Sequence, residues 1–472
     1  MRRLGPSSAA ACALVVWLGY FTALQWSVVR FRLAIVLVLT SATVLLATAL
    51  ARRWTLPAVP RRLLAAALLV GAVVAEAVPF FSHVAPGERR WLAHLVAITC
   101  LVPAALLLSA HPRARALAAA AAVVGCVVTS AVVTVVSPAP RIDVWVTLQQ
   151  ATDGLAQGRN FYDMVWVGSP GIQDAFTYLP WTAVLLAPGR WLAGDVRWAL
   201  LLIFVAGLAC TAALGARRPS SGAGTSSGAA TSSGAGTSSG AWTSSASLAA
   251  VTLIALAPGT ITQAEQAWTE PMLFAALAAW ALLVSRGQAW WAVVPLALAC
   301  ASKQHMALLL PVLLCWQQFG VRRTLATGGL TGVLIAPWFI ASPSAFVHDT
   351  ITLLVGFHPI RFANTWFIAA RTELGWTPPF WVTGLIVLST LATACLVVLR
   401  RQPPLHELLG WLALLLVVAN LVNKQAFYNQ FWLAGALVAL SLAATGVPVR
   451  ASAPAAAAPA AAPPGRPSAT AR

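Results

Sequence analysis

Lysine is almost missing from this chain. Of its 30 basic residues only Lys303 and Lys424 are lysine, each followed by glutamine, and all the others are arginine. Acidic residues are nearly as scarce, 12 in 472 positions, so charged side chains make up 9% of the sequence. A water-soluble domain carries about 25%. With 59% hydrophobic residues and a mean hydropathy of +0.80, this chain is excluded from that class. Cysteines are few, 7 in all, and none stands in a Cys-x-x-Cys spacing. That excludes a disulfide framework and a zinc site and leaves them as small apolar core residues. The net charge of +18 does not indicate nucleic-acid binding. The arginines come largely as pairs in short gaps between apolar runs, which is the positive-inside pattern of a membrane protein.

What the sequence does have is apolar runs long enough to cross a bilayer. They read as spans at 10–29, 33–50, 63–82, 91–110, 116–136, 198–216, 248–262, 268–285, 288–302, 305–320, 324–341, 380–399, 405–422 and 430–447. The expected fold is therefore an all-α polytopic membrane protein of about fourteen transmembrane helices, between about twelve and fifteen, with long outer loops that carry interfacial helices. The first run, behind Arg2 and Arg3, reads as an anchor and not as a cleaved signal. Most arginines fall on one side if both termini are cytoplasmic. Residues 1–136 then form an N-terminal set of helices, 137–197 a first outer loop, 198–216 one helix, 248–341 a central set, 342–379 a second outer loop and 380–447 a C-terminal set. Residues 217–247 repeat Gly, Ser, Thr and Ala and read as a flexible cytoplasmic linker, and the Pro/Ala-rich tail 448–472 reads as disordered. The stretch 178–193, short and holding Pro180 and Pro188, reads as a re-entrant or interfacial piece.

The first outer loop holds five of the six aspartates. Asp143 follows the fifth apolar run by a few residues, at the expected membrane boundary, and a helix over 144–155 is expected to lie along the interface. A carboxylate half-buried there has a raised pKa and can serve as a general base toward a lipid-linked substrate. It can equally be the N-cap of the helix that follows. Asp195 reads as a cap for the sixth span, and Asp153, Asp163 and Asp174 as turn or surface residues.

Asp143 after a span, the stretch Gly158-Arg159-Asn160-Phe161-Tyr162, and Phe176-x-Tyr178-x-Pro180 ahead of an apolar run together resemble the GT-C superfamily of integral-membrane glycosyltransferases. The nearest likeness is to the bacterial polyprenyl-phosphate-mannose-dependent mannosyltransferases, and it covers residues 137–440. That resemblance implies a GT-C-like fold, a catalytic base at Asp143, a polyprenyl-phosphate-linked sugar donor, mannose above all, and a glycolipid or polysaccharide acceptor of the cell envelope. It implies an active site on the outer face of the cell membrane. Two departures stand against it: the loop follows the fifth span instead of the first, leaving residues 1–115 as an extension, and no Asp-x-Asp pair is present to hold a metal-bound phosphate. No cofactor is expected.

The remaining candidates lie in other outer turns. Gln263, Glu265, Gln266 and Glu270 form a hydrogen-bonding cluster suited to sugar hydroxyls, although Glu270 also fits the start of a helix. Lys303, with His305 beside it, lies between two short apolar runs, where a charge is costly and a phosphate is its natural partner. Snorkelling to the headgroups is the plain alternative for both lysines. Arg361 is a candidate for a bidentate phosphate contact, with Lys424 as a further cation. Tyr178, Asn364 and Trp366 are candidates to line a sugar or acceptor groove. A transporter or lipid-carrier flippase is the rival expectation; it predicts charges at mid-span and repeat symmetry.

Overall fold

The computed structural model describes residues 6–27, 29–54, 58–216 and 244–447. Among them there is no strand. In chain order the helices are α1 (Pro6–Ser27), α2 (Leu33–Ala51), α3 (Arg61–Ala77), α4 (Pro86–Leu108), α5 (Ala114–Val136), α6 (Asp143–Ala156), α7 (Trp181–Ala193) and α8 (Val196–Leu214). There follow α9 (Ser245–Ala255), α10 (Thr260–Glu265), α11 (Glu270–Ser285), α12 (Val293–Cys300), α13 (Leu310–Leu314), α14 (Gly320–Ala341), α15 (Pro343–Val347) and α16 (Leu353–Gly356). The last four are α17 (Trp366–Glu373), α18 (Phe380–Arg401), α19 (Leu405–Val422) and α20 (Tyr428–Ala443).

Eight of these, α1, α2, α4, α5, α8, α14, α18 and α19, are long and apolar enough to cross a membrane. Their packing follows their composition. α19 is apolar all round and 72% buried, packed along α20 and α18, whereas only 11% of the apolar stretch of α14 or α18 is covered. Leu385, Leu388 and Leu399 on α18 and Val333 and Ile340 on α14 therefore stand bare. Such faces are stable in lipid and not in water. Tryptophan divides by the same logic. Trp166, Trp280, Trp316 and Trp432 are buried, while Trp26, Trp54, Trp191, Trp291 and Trp381 are exposed at or near helix ends, as an interfacial belt requires.

Three expected spans are broken. The run 248–262 is two helices, α9 and α10, because Pro258 interrupts the backbone and Gly259 turns it at φ +82°. A Cβ at Gly259 would also collide with the Tyr428 hydroxyl. The run 288–302 contributes only α12, 8 residues long. The run 305–320 is a 3-10 turn, Gln304–Leu309, followed by α13. The stretch 178–193 becomes α7, and the helix expected over 144–155 is α6. Most of the linker and the whole tail lie outside the described residues, but Ser244 already accepts a bond from Ser247 N and caps α9, so the linker is shorter than its expected end at 247.

The turns gather at two ends of the bundle. At the arginine end, Arg286 Nη2 donates to Ala213 O at 2.7 Å, Arg115 Nη2 to Val59 O at 2.9 Å and Trp316 Nε1 to Pro403 O at 2.9 Å. At the loop end, residues 79–85, 137–195, 263–270, 301–305, 342–379 and 423–428 bond to one another, as described below. Close approach within the bundle depends on small residues. A Cβ at Gly207 of α8 would lie 2.7 Å from Ala275 Cα of α11. Gly207→Val is expected to force α8 from α11 and cost about 1–3 kcal/mol, read as a lower unfolding temperature in detergent by tryptophan fluorescence. Gly328→Val on the bare face of α14, with nothing within 4 Å, is expected not to lower it.

Candidate functional site

Asp143 is the first residue of α6, and Ile142, in extended conformation, occupies the cap position. The carboxyl does not cap the helix from outside. Its Oδ1 accepts from the next backbone N–H, Val144 N, at 2.8 Å. The segment 169–173 lies over it, and a Cβ at Gly171 would come within 2.6 Å of Asp143 Oδ2, so only glycine lets that segment approach. Burial raises the Asp143 pKa above its ordinary value, against a smaller lowering by the Val144 amide.

The rest of the first loop is a rigid aromatic floor. Asn160 accepts from Tyr162 N at 3.2 Å, and Phe161, Tyr162, Trp166 and Phe176 are all buried and pack ring on ring. Tyr162 Oη donates to Tyr178 O at 2.8 Å, and Asp349 Oδ2, on a π-helical turn of the second loop, accepts from Phe176 N at 2.7 Å. Ser342 donates to Asp163 at 2.6 Å, which also ties the second loop to the first. Asp195 caps α8 by accepting from Arg197 N at 2.8 Å, and it also accepts from Trp145 Nε1 at 3.1 Å, fixing the start of α6 against α8.

Beyond this floor the chain meets the gap between α12 and the 3-10 turn. Leu179 N donates to Ser302 O at 3.2 Å and Trp181 N to Ala301 O at 3.1 Å, a clamp that sets Tyr178 beside Lys303. Lys303 Nζ lies 5.4 Å from the Tyr178 ring centre and donates to Thr269 Oγ1 at 3.2 Å. It also pairs with Glu270 Oε1, whose side chain is 0% exposed. Glu270 Oε2 accepts from Asn429 Nδ2 at 2.7 Å. The Tyr178 phenol is pushed well above its usual pKa by burial, then by the carboxylates of Asp143 and Glu270. The structure thus brings Asp143, Tyr178, Glu270 and Lys303 into one electrostatic neighbourhood. Tyr178 is a neutral donor there, and an ammonium with three N–H groups keeps one beyond its two named partners. His305, half-buried, follows in the 3-10 turn, and its imidazole makes no hydrogen bond among the described residues.

Gln263, Glu265 and Gln266 form a second cluster, bonded through Glu265 to the turn at His83 and to Ser137. Glu265 Oε1 accepts from His83 N at 2.7 Å and from Ser137 Oγ at 3.1 Å, while its Oε2 and both side-chain polar atoms of Gln263 are buried with no partner among the described residues, and the Gln266 amide lies within hydrogen-bond reach of the His83 ring. Burial lowers the His83 pKa, opposed by Glu265, so the imidazole stays neutral to lower pH than usual. His83 carries no motif in the sequence and is visible as a site residue only through this contact.

The second-loop candidates are placed elsewhere. Asn364 accepts from Arg32 N at 2.9 Å and donates to Arg30 O at 2.9 Å, tying the loop to the turn between α1 and α2. Its amide is engaged in holding chain, as is Trp366 Nε1, which donates to Thr40 Oγ1 at 2.9 Å. Lys424 Nζ donates to Val355 O at 2.7 Å and Phe357 O at 2.6 Å, closing the C-terminal end of α16. Arg361 is exposed and makes no hydrogen bond or ion pair among the described residues. Thr269 and Asn429, the remaining partners of the ion pair, lie in the polar stretches around Glu270 and Lys424 that the sequence already marks.

The helices, their bare apolar faces and the polar loop end define an all-helical membrane protein. No family model matches the sequence, and no curated protein is significantly similar to it.

Removing one member of the buried pair strands the other charge. Lys303→Met is expected to destabilise by about 3–5 kcal/mol, and Glu270→Gln added to it to restore most of that loss. Thermal unfolding of both single variants and the double variant measures the coupling; losses that merely add would show the pair to be uncoupled.

Proposed function

We propose that this chain is an integral-membrane glycosyltransferase of GT-C type, moving a sugar from a polyprenyl-phosphate carrier to an envelope glycolipid or polysaccharide. The observation that carries the reading is the half-buried Asp143 carboxyl, lodged under Gly171 in the same neighbourhood as Tyr178 and the Lys303–Glu270 pair. In this proposal Asp143 takes the proton of an acceptor hydroxyl as that oxygen bonds to the anomeric carbon. The bond from that carbon to the phosphate oxygen breaks, the electron pair leaves with the polyprenyl phosphate, and the anomeric centre inverts. The remaining N–H of Lys303 meets the growing phosphate charge, with the unpaired Arg361 a second cation on the neighbouring loop, and His305 lies next to Lys303. Electrostatic stabilisation of a leaving group works best from groups fixed in advance, and the Lys303 ammonium is held by Thr269 and Glu270. Tyr178, protonated throughout, donates to the sugar or the phosphate, and Gln263, Glu265, Gln266 and Glu270 offer hydrogen bonds on the acceptor side. Mannose is the sugar the family resemblance favours.

The proposed topology has about fourteen passages of the chain, six of them made by short or broken helices. It places both termini with the arginine end in the cytoplasm and the catalytic end outside. Two features support it: turns bond within one end or the other, and the arginine pairs 52–53, 61–62, 322–323 and 400–401 lie at one end. The flippase reading retains one observation, the buried charge pair among short helices, and it gives Asp143 no task.

Asp143→Asn is expected to lower mannose transfer from polyprenyl-phosphate-mannose in isolated membranes by about 10²–10⁴-fold. Because burial holds the Asp143 pKa above 3.8, its charged form costs stability as pH rises through that raised value. The Asn variant should therefore unfold no earlier than wild type at neutral pH. Transfer unchanged in the variant would end the assignment. For the same reason wild-type transfer should fall on acidification at a higher pH than an exposed aspartate would give, as its active base form is lost; a pH–rate profile flat down to the ordinary carboxylate range would exclude Asp143 as the base.

A further inference from the structure

The N-terminal helices take no part in the chemistry just described, yet the turn between α1 and α2 joins the second loop in gathering positive charge. Asn364, itself 5% exposed, holds the two together. It donates to Ser27 O at 3.3 Å and to Arg30 O at 2.9 Å, and accepts from Arg32 N at 2.9 Å. Phe31, between the two arginines, and Ile360 both pack on the buried cluster of Ala363, Phe367 and Ile368. Ala363 N donates to Ile360 O at 2.9 Å, which closes a turn with Arg361 at its first corner. Arg30, Arg32 and Arg361 therefore stand on adjoining turns. None of them pairs with a carboxylate among the described residues. The acids that flank Arg361 in the chain are Asp349, taken up by His348 and Phe176 N, and Glu373, at the far end of α17. Like charges repel, so a buried amide that holds three of them together works against their electrostatics unless an anion lies among them.

Their place decides which anion. α1 and α2 are long and apolar enough to cross a membrane, and Leu33, Leu37 and Val38 at the start of α2 are bare. Trp26 and Trp366 stand exposed beside the arginines, as aromatic anchors do at headgroup level. The guanidinium groups thus lie at the depth of bilayer phosphates, and a lipid bound there keeps its acyl chains in the bilayer and needs no cavity in the protein. The Arg32 guanidinium lies 3.7 Å from the centre of the Trp26 ring. Such stacking occupies its face, fixes it in advance and leaves the N–H groups on its edge for phosphate oxygens. Arg30 and Arg361 are exposed. Phe362 packs on Phe427 with ring centres 5.4 Å apart, and Phe427 on Trp268 at 5.5 Å, so a row of rings separates the arginines from the turn at Glu270. We infer that Arg30, Arg32 and Arg361 form a docking surface for the phosphate of an anionic phospholipid. A guanidinium fork matches phosphate oxygens, whereas a zwitterionic lipid brings a cation that the surface repels. The binding stands without the transferase reading; within that reading Arg361 serves the donor only as a charge at a distance.

The test is native mass spectrometry of the full-length protein released from detergent, with phosphatidylglycerol and phosphatidylcholine of the same acyl chains. One arginine beside an anionic headgroup contributes about fivefold, so wild type is expected to hold its first phosphatidylglycerol about tenfold or more over phosphatidylcholine. Arg30→Gln combined with Arg32→Gln should remove most of that preference and leave the unfolding temperature unchanged. Arg52→Gln combined with Arg53→Gln removes the same charge beyond the other end of α2 and should keep it. Asn364→Leu keeps every charge but unties the two turns, and it should lose the preference. Equal retention of the two lipids by wild type overturns the inference. So do equal losses in the two glutamine pairs, which would show net charge and not this surface to be at work. Displacement of the lipid by excess glycerol 3-phosphate, or by an equal amount of undecaprenyl phosphate, would give the surface to a soluble phosphate or to the sugar carrier and overturn it as well. Sugar transfer, present or absent, enters none of these measurements.

Discussion

The buried pair of Lys303 and Glu270 is the interaction on which the loop end depends. A single charge in that position would cost several kcal/mol, so the two side chains must stay together, and they come from different parts of the bundle. Lys303 follows α12, Glu270 begins α11, and Asn429, which completes the carboxylate's bonding, lies in the first turn of α20. Holding these three fixes where Tyr178 lies, because the backbone on either side of it is bonded to Ala301 and Ser302. The first loop inherits its position from that contact, and Asp143 inherits its position from the loop. A polar anchor in an apolar bundle thus defines one arrangement where apolar packing alone would tolerate several.

Much of the helical scaffold was legible as hydropathy. The run 405–422 is α19 to the residue, and 33–50, 116–136 and 380–399 are each a helix within two residues of expectation. The breaks were not legible, for a physical reason. Apolar residues are equally apolar in a continuous helix and in a broken one. What decides is local backbone geometry, such as the positive φ of Gly259, and the tertiary bonds that receive the freed amides and carbonyls.

The site was legible as a set of residues and not as a set of partners. Glu270 and Lys303 were each singled out as polar groups in unusual places, but 33 positions separate them and no periodicity relates them. Asn364 and Lys424 show a second thing the sequence does not tell, the backbone groups a loop side chain bonds to. Polar residues in long loops look like ligands, yet irregular backbone leaves carbonyls and amides unpaired, and side chains are the cheapest way to satisfy them. Both residues do that work, one at the α1–α2 turn and one at the end of α16. Gly171 is the gap that admits a carboxyl, which no periodicity announces.

The broken helices bear on how the chain enters a membrane. α12, at 8 residues, extends about 12 Å, far short of a hydrocarbon layer of about 30 Å. Backbone that leaves a helix at that depth has no water to bond and is tolerated only inside protein. The segments around Gly259 and Lys303 therefore have no stable existence in lipid on their own. They must wait beside the insertion machinery, or in the bilayer margin, until α14, which packs on α12, and α20, which packs on α9, have been made. Biogenesis of this protein is in that sense retroactive: the centre of the bundle becomes a membrane structure only once the last quarter of the chain has arrived to enclose it.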